Sequence, residues 1–329
     1  MRTLASYREL DRDLIQSGFI DWLLEENGLM ARLPVKEVKG NGVKYNVRTA
    51  RGSAAWTQPN ETIVSSSGTT TQRSAAIYSL IGQADVDKFA IATQSTQNVA
   101  LAEIKEKSDD VKWEWSERMV YGRTTTSSAD NQPKGLFKLI AEIQSEATTT
   151  LDGAGVNNSQ VLGESASSAL TIDMMDELAD AVKLGVNCYV MTRRMRRKLT
   201  SLARAVGNNV EHDKDELGYM VQTYGGKPIY IVDAMEDNLP DNVANILTLS
   251  THAIGTTRAS GNDNSAIFAL NTSEQGFCII QAGALQHEGP WTPDDVDADR
   301  HRFKWYTGFA LYNKFAAAVK TGVLDTALS

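Results

Sequence analysis

The chain has 329 residues, 42% hydrophobic and 22% charged, and 33 Lys and Arg against 41 Asp and Glu give a formal net charge of -8. That length exceeds one comfortable core, so two domains, or one with long extensions, are expected. The acidic balance argues against tight, general binding to nucleic-acid phosphates, and no window approaches the roughly 20 apolar residues that span a bilayer.

The N-terminal "MRTLASYRELDRDLIQ" interleaves charges with apolar residues and has no signal-peptide core, so a soluble protein made in a cytoplasm is expected. Residues 1–35 read as an arm with short helices. Leu14, Ile15, Phe19, Trp22 and Leu23 fall close to a helical stripe, which suits a capping helix or a segment docked on a neighbouring subunit. From Gly42 the period changes to two: Val43, Tyr45, Val47 and Thr49 alternate with Lys44, Asn46 and Arg48. A polar stretch, 51–74, then separates this strand from the apolar "AAIYSLIGQADVDKFAIA". Two strands around a long polar tip suggest an extended hairpin that its own domain cannot bury; the bland alternative is a surface loop.

The clearest helix follows. Leu101, Ile104, Ser108, Val111, Trp115 and Met119 recur at threes and fours, and Glu103–Lys107 and Glu114–Arg118 are favourable i,i+4 pairs. Ser95 and Thr96 are candidate N-caps, and Gly122 is a candidate C′ residue. From Gln97 to Tyr121 such a helix is about 37 Å long at roughly 1.5 Å per residue, a rod suited to lying across a sheet.

Beyond Gly135 helices and strands alternate. Thr171 is a candidate N-cap with Leu170 and Met175 as a hydrophobic staple, and the helix should stop at Gly185. "CYVMT" (188–192) reads as a buried strand. The next helix has one apolar face, Met195, Leu199, Leu202 and Val206, and should stop at Gly207. "GGKPIYIVDAM" reads as a turn and a buried strand, and "GFCIIQAG" and "RFKWYTGFALYNKFAAAVKTGV" as aromatic, β-prone segments.

Catalytic patterns are missing. His212, His252, His287 and His301 are scattered, and no nucleophile elbow, P-loop or dinucleotide fingerprint occurs. "DGAGVNNS" reads as a turn. Asp295, Asp297 and Asp299 have calcium-loop spacing but fail at Arg300 and Tyr306, so a solvated acidic loop is expected. Cys188 and Cys278 are expected as buried free thiols. The basic run Arg193, Arg194, Arg196, Arg197 and Lys198 is either the polar face of an amphipathic helix or a nucleic-acid contact. No cofactor, no metal and no enzymatic activity are expected.

The order of these segments resembles a major capsid protein of a tailed bacteriophage. "LLEENGLMARLP", "GNGVKYNVRT", "IGQADVDKF", "YVMTRRMRRKLTSLAR" and "YGGKPIYIVD" carry the resemblance together. It implies an α+β chain of the Hong Kong 97-like fold. The implied parts are an N-terminal arm (1–40), an extended hairpin or E-loop (41–80) and a peripheral domain with its spine helix (81–136). An axial domain (137–265) and a return to the peripheral sheet (266–329) complete them. The implied function is structural: self-assembly through hexamers and pentamers into an icosahedral shell around double-stranded DNA, in a virion assembled in the host cytoplasm. An encapsulin-type shell is the runner-up, and an α/β enzyme with an unrecognised site is the third reading.

The resemblance also implies partners and sites. A separate scaffolding protein and a portal are expected, with decoration proteins as auxiliaries, weak contact with packaged DNA and no membrane. Leu101, Ile104, Val111 and Trp115 are expected to seat the spine helix on a sheet built partly from 303–322. Arg193 and Arg194 are assembly candidates, as is Lys44. The family's type member locks its shell through a Lys on the E-loop, whereas here Lys44, at the hairpin root, is the one Lys between Gly40 and Asp87. A non-covalent shell is therefore expected.

Overall fold

The computed structural model describes residues 28–50, 52–54, 56–59, 62, 65–93, 99–122, 132–141, 160–205, 212–214, 220–235, 237, 239 and 264–324. The arm stripe, the caps Ser95 and Thr96, the Gly-rich stretch 152–159 and the stop at Val206 and Gly207 lie outside these residues.

The described chain opens with α1 (Gly28–Arg32) and β1 (Val35–Glu37), then the hairpin β2 (Gly42–Ala50) and β3 (Thr69–Ala76). Next come β4 (Tyr78–Asp87), α2 (Lys88–Thr93), α3 (Val99–Tyr121) and α4 (Leu136–Ala141). An alternating region holds β5 (Val161–Ala169), α5 (Ile172–Ala181), β6 (Cys188–Met191), α6 (Arg193–Ala205), β7 (His212–Lys214), β8 (Met220–Tyr224) and β9 (Lys227–Ile231). The last strands are β10 (Ser265–Leu270), β11 (Phe277–Gln281), β12 (Gln286–Trp291), β13 (Ala298–Leu311) and β14 (Ala317–Leu324).

Among the described residues three sheets form. One has the order β1-β11-β13-β12, with β4 also paired to β13; the second runs β5-β14-β10-β6-β9-β8-β7; the third is the hairpin β2-β3. The expected return of 266–329 to one sheet is divided between two, and of the 303–322 expected to build part of the spine helix's seat, the portion in β13 lies in the five-stranded sheet. β11, β12 and β13 build the five-stranded sheet, but β10 and β14 pair with each other and with β6 and β5 in the seven-stranded one. The cause is burial on both faces. β10 is buried at all six positions and β14 at seven of its eight, as strands at the middle of a covered sheet must be.

The seven-stranded sheet has a core on each side. α5 and α6 cover one face through Met175, Leu178, Met195, Leu199 and Leu202. On the other face Phe268 and Val319 join the main core, which continues through α4 and α3 to Phe303 and Trp305 of the five-stranded sheet. Phe137 of α4 is the wedge between them, stacked on Tyr121 with ring centroids 5.6 Å apart and edge-on to Phe268 at 4.8 Å.

Local chemistry sets the boundaries. Thr171 caps α5, its side chain accepting from the Met174 N–H, while Leu170 and Met175 are buried as the staple requires. α5 ends at Ala181, three residues earlier than the periodicity suggests, and Gly185 makes the turn with φ +86. Thr192 caps α6 in the same way, accepting from the Met195 N–H at 3.3 Å.

Candidate assembly surfaces

The spine helix α3 lies on β4. The strand turns Gly82, Ala84 and Val86 toward it, and a Cβ built on Gly82 would stand 2.5 Å from Val111 Cγ2. Ile104, Ser108, Val111, Trp115 and Met119 form the buried line. Trp115 stacks on Trp305 with centroids 6.2 Å apart and meets Phe309 edge-on at 5.3 Å. Leu101 departs from the expected seat, being 51% exposed. The face is not at fault: Leu101 and Met119 are 18 residues apart, five helical turns, and share one direction. Met119 is fully buried, so Leu101 is exposed because its end of the rod runs beyond the cover that the core provides. Of the expected ion pairs, Glu114–Arg118 forms at 2.7 Å, whereas Lys107 pairs with Asp110.

Gly122 ends this helix for a different reason than the one expected. It is absent from the positive-φ glycines, so no left-handed C′ residue is present there. Instead the chain crosses itself: the Gly135 N–H donates to Gly122 O at 2.8 Å. A Cβ on Gly122 would stand 2.2 Å from Pro133 O, and one on Gly135 would stand 2.5 Å from Gly122 N. Both glycines are needed for backbone-to-backbone approach.

Among the described residues the hairpin is anchored at its root. Val43, Tyr45, Ala75 and Ile77 pack with Cys278, Ile280, Ala310 and Tyr312. Tyr45 meets Tyr312 edge-on at 5.0 Å, Lys36 Nζ lies 4.6 Å over the Tyr312 ring, and burial pushes the Cys278 thiol up to about 11. The strands pair from Gly42 with Ala76 out to Ala50 with Thr69, so the polar tip is shorter than the expected 51–74. At the tip the Ser53 N–H donates to Ser66 Oγ at 2.6 Å, and Trp56 is 104% exposed. Lys44 is exposed at the root, opposite Ser74.

The basic run lies on α6. Arg193 grips both carboxylate oxygens of Asp233 at 2.6 Å, and this pairing holds the Asp233 carboxyl below its usual range. Arg193 and Arg194 line an open cleft between α6 and β8 with Arg196, Arg197 and Arg204. The structure therefore separates the three sets of candidates: Ile104, Val111 and Trp115 are internal, Lys44 is at the hairpin root, and Arg193 and Arg194 are on the seven-stranded layer.

Among the described residues no group of three or more His, Cys, Asp or Glu could hold a metal. Asp297 and Asp299 turn to Lys88, at 3.6 and 3.7 Å, and Arg300 binds Asp85 at 2.7 Å. The pairing of β12 with β13 does join two histidines that the spacing did not connect. His287 Nε2 lies 3.0 Å from His301 Nδ1 and the rings stack. Burial, then the neighbouring His287, lowers the pKa of His301.

Two sheets joined by a 23-residue spine helix, with a hairpin packed at its root, define a structural shell subunit of the Hong Kong 97-like fold. A model of the phage capsid family matches residues 12–259, and the chain belongs to that family. It is a major capsid protein. No curated protein matches the sequence. Solved structures do match its fold. The holo-SrpI encapsulin complex from Synechococcus elongatus PCC 7942 matches with TM-score 0.59 and 14% identity, covering 100% of this chain and 98% of that one. The capsid of a native GTA particle matches with TM-score 0.58 and 11% identity over 91% and 89%. A Microbacterium phage Oxtober96 chain matches with TM-score 0.54 and 15% identity over 90% of each.

Proposed function

We propose that this chain assembles through hexamers and pentamers into an icosahedral shell that encloses double-stranded DNA, as the main component of a virion built in the host cytoplasm. The observation that carries this is the family match over 12–259. The root-anchored hairpin supports it, since a strand pair with an exposed Trp56 is stabilised by burial against another copy. The five-stranded sheet with α3 serves as the peripheral part, the seven-stranded sheet with α5 and α6 as the axial part, and β2-β3 as the E-loop. The subunit acts without catalysis, in company with a separate scaffolding protein, a portal and auxiliary decoration proteins.

An encapsulin-type shell shares this fold, so the contents of the particle discriminate between the two. Electron microscopy of the purified protein should reveal closed shells, and particles from infected cells should protect DNA from nuclease. A protein that stays monomeric at all concentrations overturns the shell reading. Shells that hold a cargo enzyme and no DNA overturn the viral one.

A further inference from the structure

We infer that the joint between the spine helix and the five-stranded sheet is a binding site for a small cluster of ordered water, held by Trp115, Thr307 and Gln132. The inference does not depend on the shell reading. A cavity of about 90 Å³ lies between α3, β4, β13 and the segment that leads into α4. Trp115, Thr307 and Gln132 line it, with Leu80, Pro133 and Phe309 as apolar wall. On β13, Trp305, Thr307 and Phe309 share one face by the period of two. Trp115 stacks on Trp305 and meets Phe309 edge-on, so its ring spans Thr307.

Three polar atoms of this lining are buried and have no hydrogen-bond partner among the described residues: Trp115 Nε1, Thr307 Oγ1 and Gln132 Oε1. Trp115 and Thr307 are only 2% and 4% exposed, so bulk solvent does not serve them. The indole N–H can only donate, the amide oxygen can only accept, and the hydroxyl does both. A water among them accepts from Trp115, donates to Gln132 and shares a third bond with Thr307, the usual number for buried water. Left unpaired, each buried group would weigh against folding.

Size and charge select water over other ligands. At roughly 30 Å³ per molecule the cavity holds about three waters, and it is smaller than the roughly 150 Å³ that admits benzene. The charged residues of the described lining, Glu114 and Arg118, pair with each other at 2.7 Å and offset one another, which favours a neutral ligand over an ion.

The site also stands at a joint of the fold. The Pro133 carbonyl faces Gly122, where the Gly135 N–H donates to Gly122 O at 2.8 Å. Beyond Gly135, α4 presses Phe137 against Phe268 of the seven-stranded sheet. Neither glycine has a side chain to fasten this crossing. Water shared by Thr307, Trp115 and Gln132 supplies the polar tie from β13, through the spine, to the segment that enters the second layer.

Two measurements test this. A density map of the full chain, from crystals of the subunit or from assembled particles, should show ordered water against all three atoms. Thr307→Val keeps the shape of the side chain and removes the hydroxyl. With water in place the cluster loses a partner, and the unfolding equilibrium constant should rise about tenfold. In a dry cavity the same change removes an unpaired buried hydroxyl, and that constant should fall. Thr307→Ser, which keeps the hydroxyl, should retain the water in its map. Thr307→Val and Gln132→Met, at side chains that share no direct bond, should be non-additive through the shared water. The inference is overturned if the map shows no water at the three atoms, or if a side chain from 123–131 or from another copy fills the cavity. It is equally overturned if Thr307→Val leaves stability equal or higher, or if the two substitutions add. Should Thr307→Val fail to fold, the map of the parent decides alone.

Discussion

Leu101 and Met119 point in one direction from the same helix, yet one is half exposed and the other fully buried. Position along the rod separates residues that periodicity treats as equal. Trp115→Ala should therefore cost about 3–5 kcal/mol, because the ring fills the space between Trp305 and Phe309, whereas Leu101→Ala should stay within about 0.5 kcal/mol. Denaturant unfolding of both variants checks the contrast, and a Trp115→Ala subunit with parental stability would refute the seat. Gly122→Ala should cost about 1–3 kcal/mol, since its new Cβ meets carbonyl oxygens of Pro133 and Arg118 that belong to two crossing backbones. His301 gives a pH signature. Its folded-state pKa is depressed by burial and by His287, with Asp299 acting in the opposite sense. The unfolded chain therefore binds the proton more readily, and stability falls as pH drops through about 6.5. Melting temperature measured from pH 7.5 down to 5 should decline more steeply in the parent than in His301→Gln. Parallel slopes would remove His301 from the account.

At the scale of elements, the hairpin behaves unlike the rest. Its root shares a small core with Cys278, Ile280 and Ala310, but its described tip, with Trp56, is exposed. Free subunits should be cut by protease within 51–68, while assembled particles should resist at the same sites. Mass spectrometry of the first fragments reads this directly, and equal cleavage of both forms would mean that neighbours do not order the loop. The elements themselves were largely legible. The period-two pattern at Val43–Thr49, the Thr171 cap and its staple, and the α3 stripe from Ile104 to Met119 are local rules, and a chain obeys local rules wherever it is placed. Where β3 begins was not legible, because "TTTQRS" looks like a polar loop until β2 supplies its hydrogen-bond partners.

For the whole molecule, the distribution of lysines bears on how a shell is held. Lys44 sits beside the hairpin root, and the tip carries Arg51, whose guanidinium stays protonated and unreactive. Particles boiled in denaturant should therefore run as a single band near 36.0 kDa. A ladder of cross-linked oligomers would contradict this and would direct attention to Lys44. The balance of charge leads to a related outcome: free subunits, at a formal net charge of -8, should bind DNA weakly at physiological salt. What the sequence determined by itself was a part of the elements, among them β2, α3, α5, β6 and α6, with their apolar faces and, through the order of its segments, the family. Only the tertiary structure decided that β10 and β14 belong with β5 and β6 rather than with β13, that His287 meets His301, and that Gly122 serves a crossing of backbones rather than a left-handed turn. The physical reason is the same in each case. An apolar pattern specifies which face a strand or helix buries, but the neighbour that covers it comes from far along the chain, and pairing between distant segments leaves no periodic trace in either one.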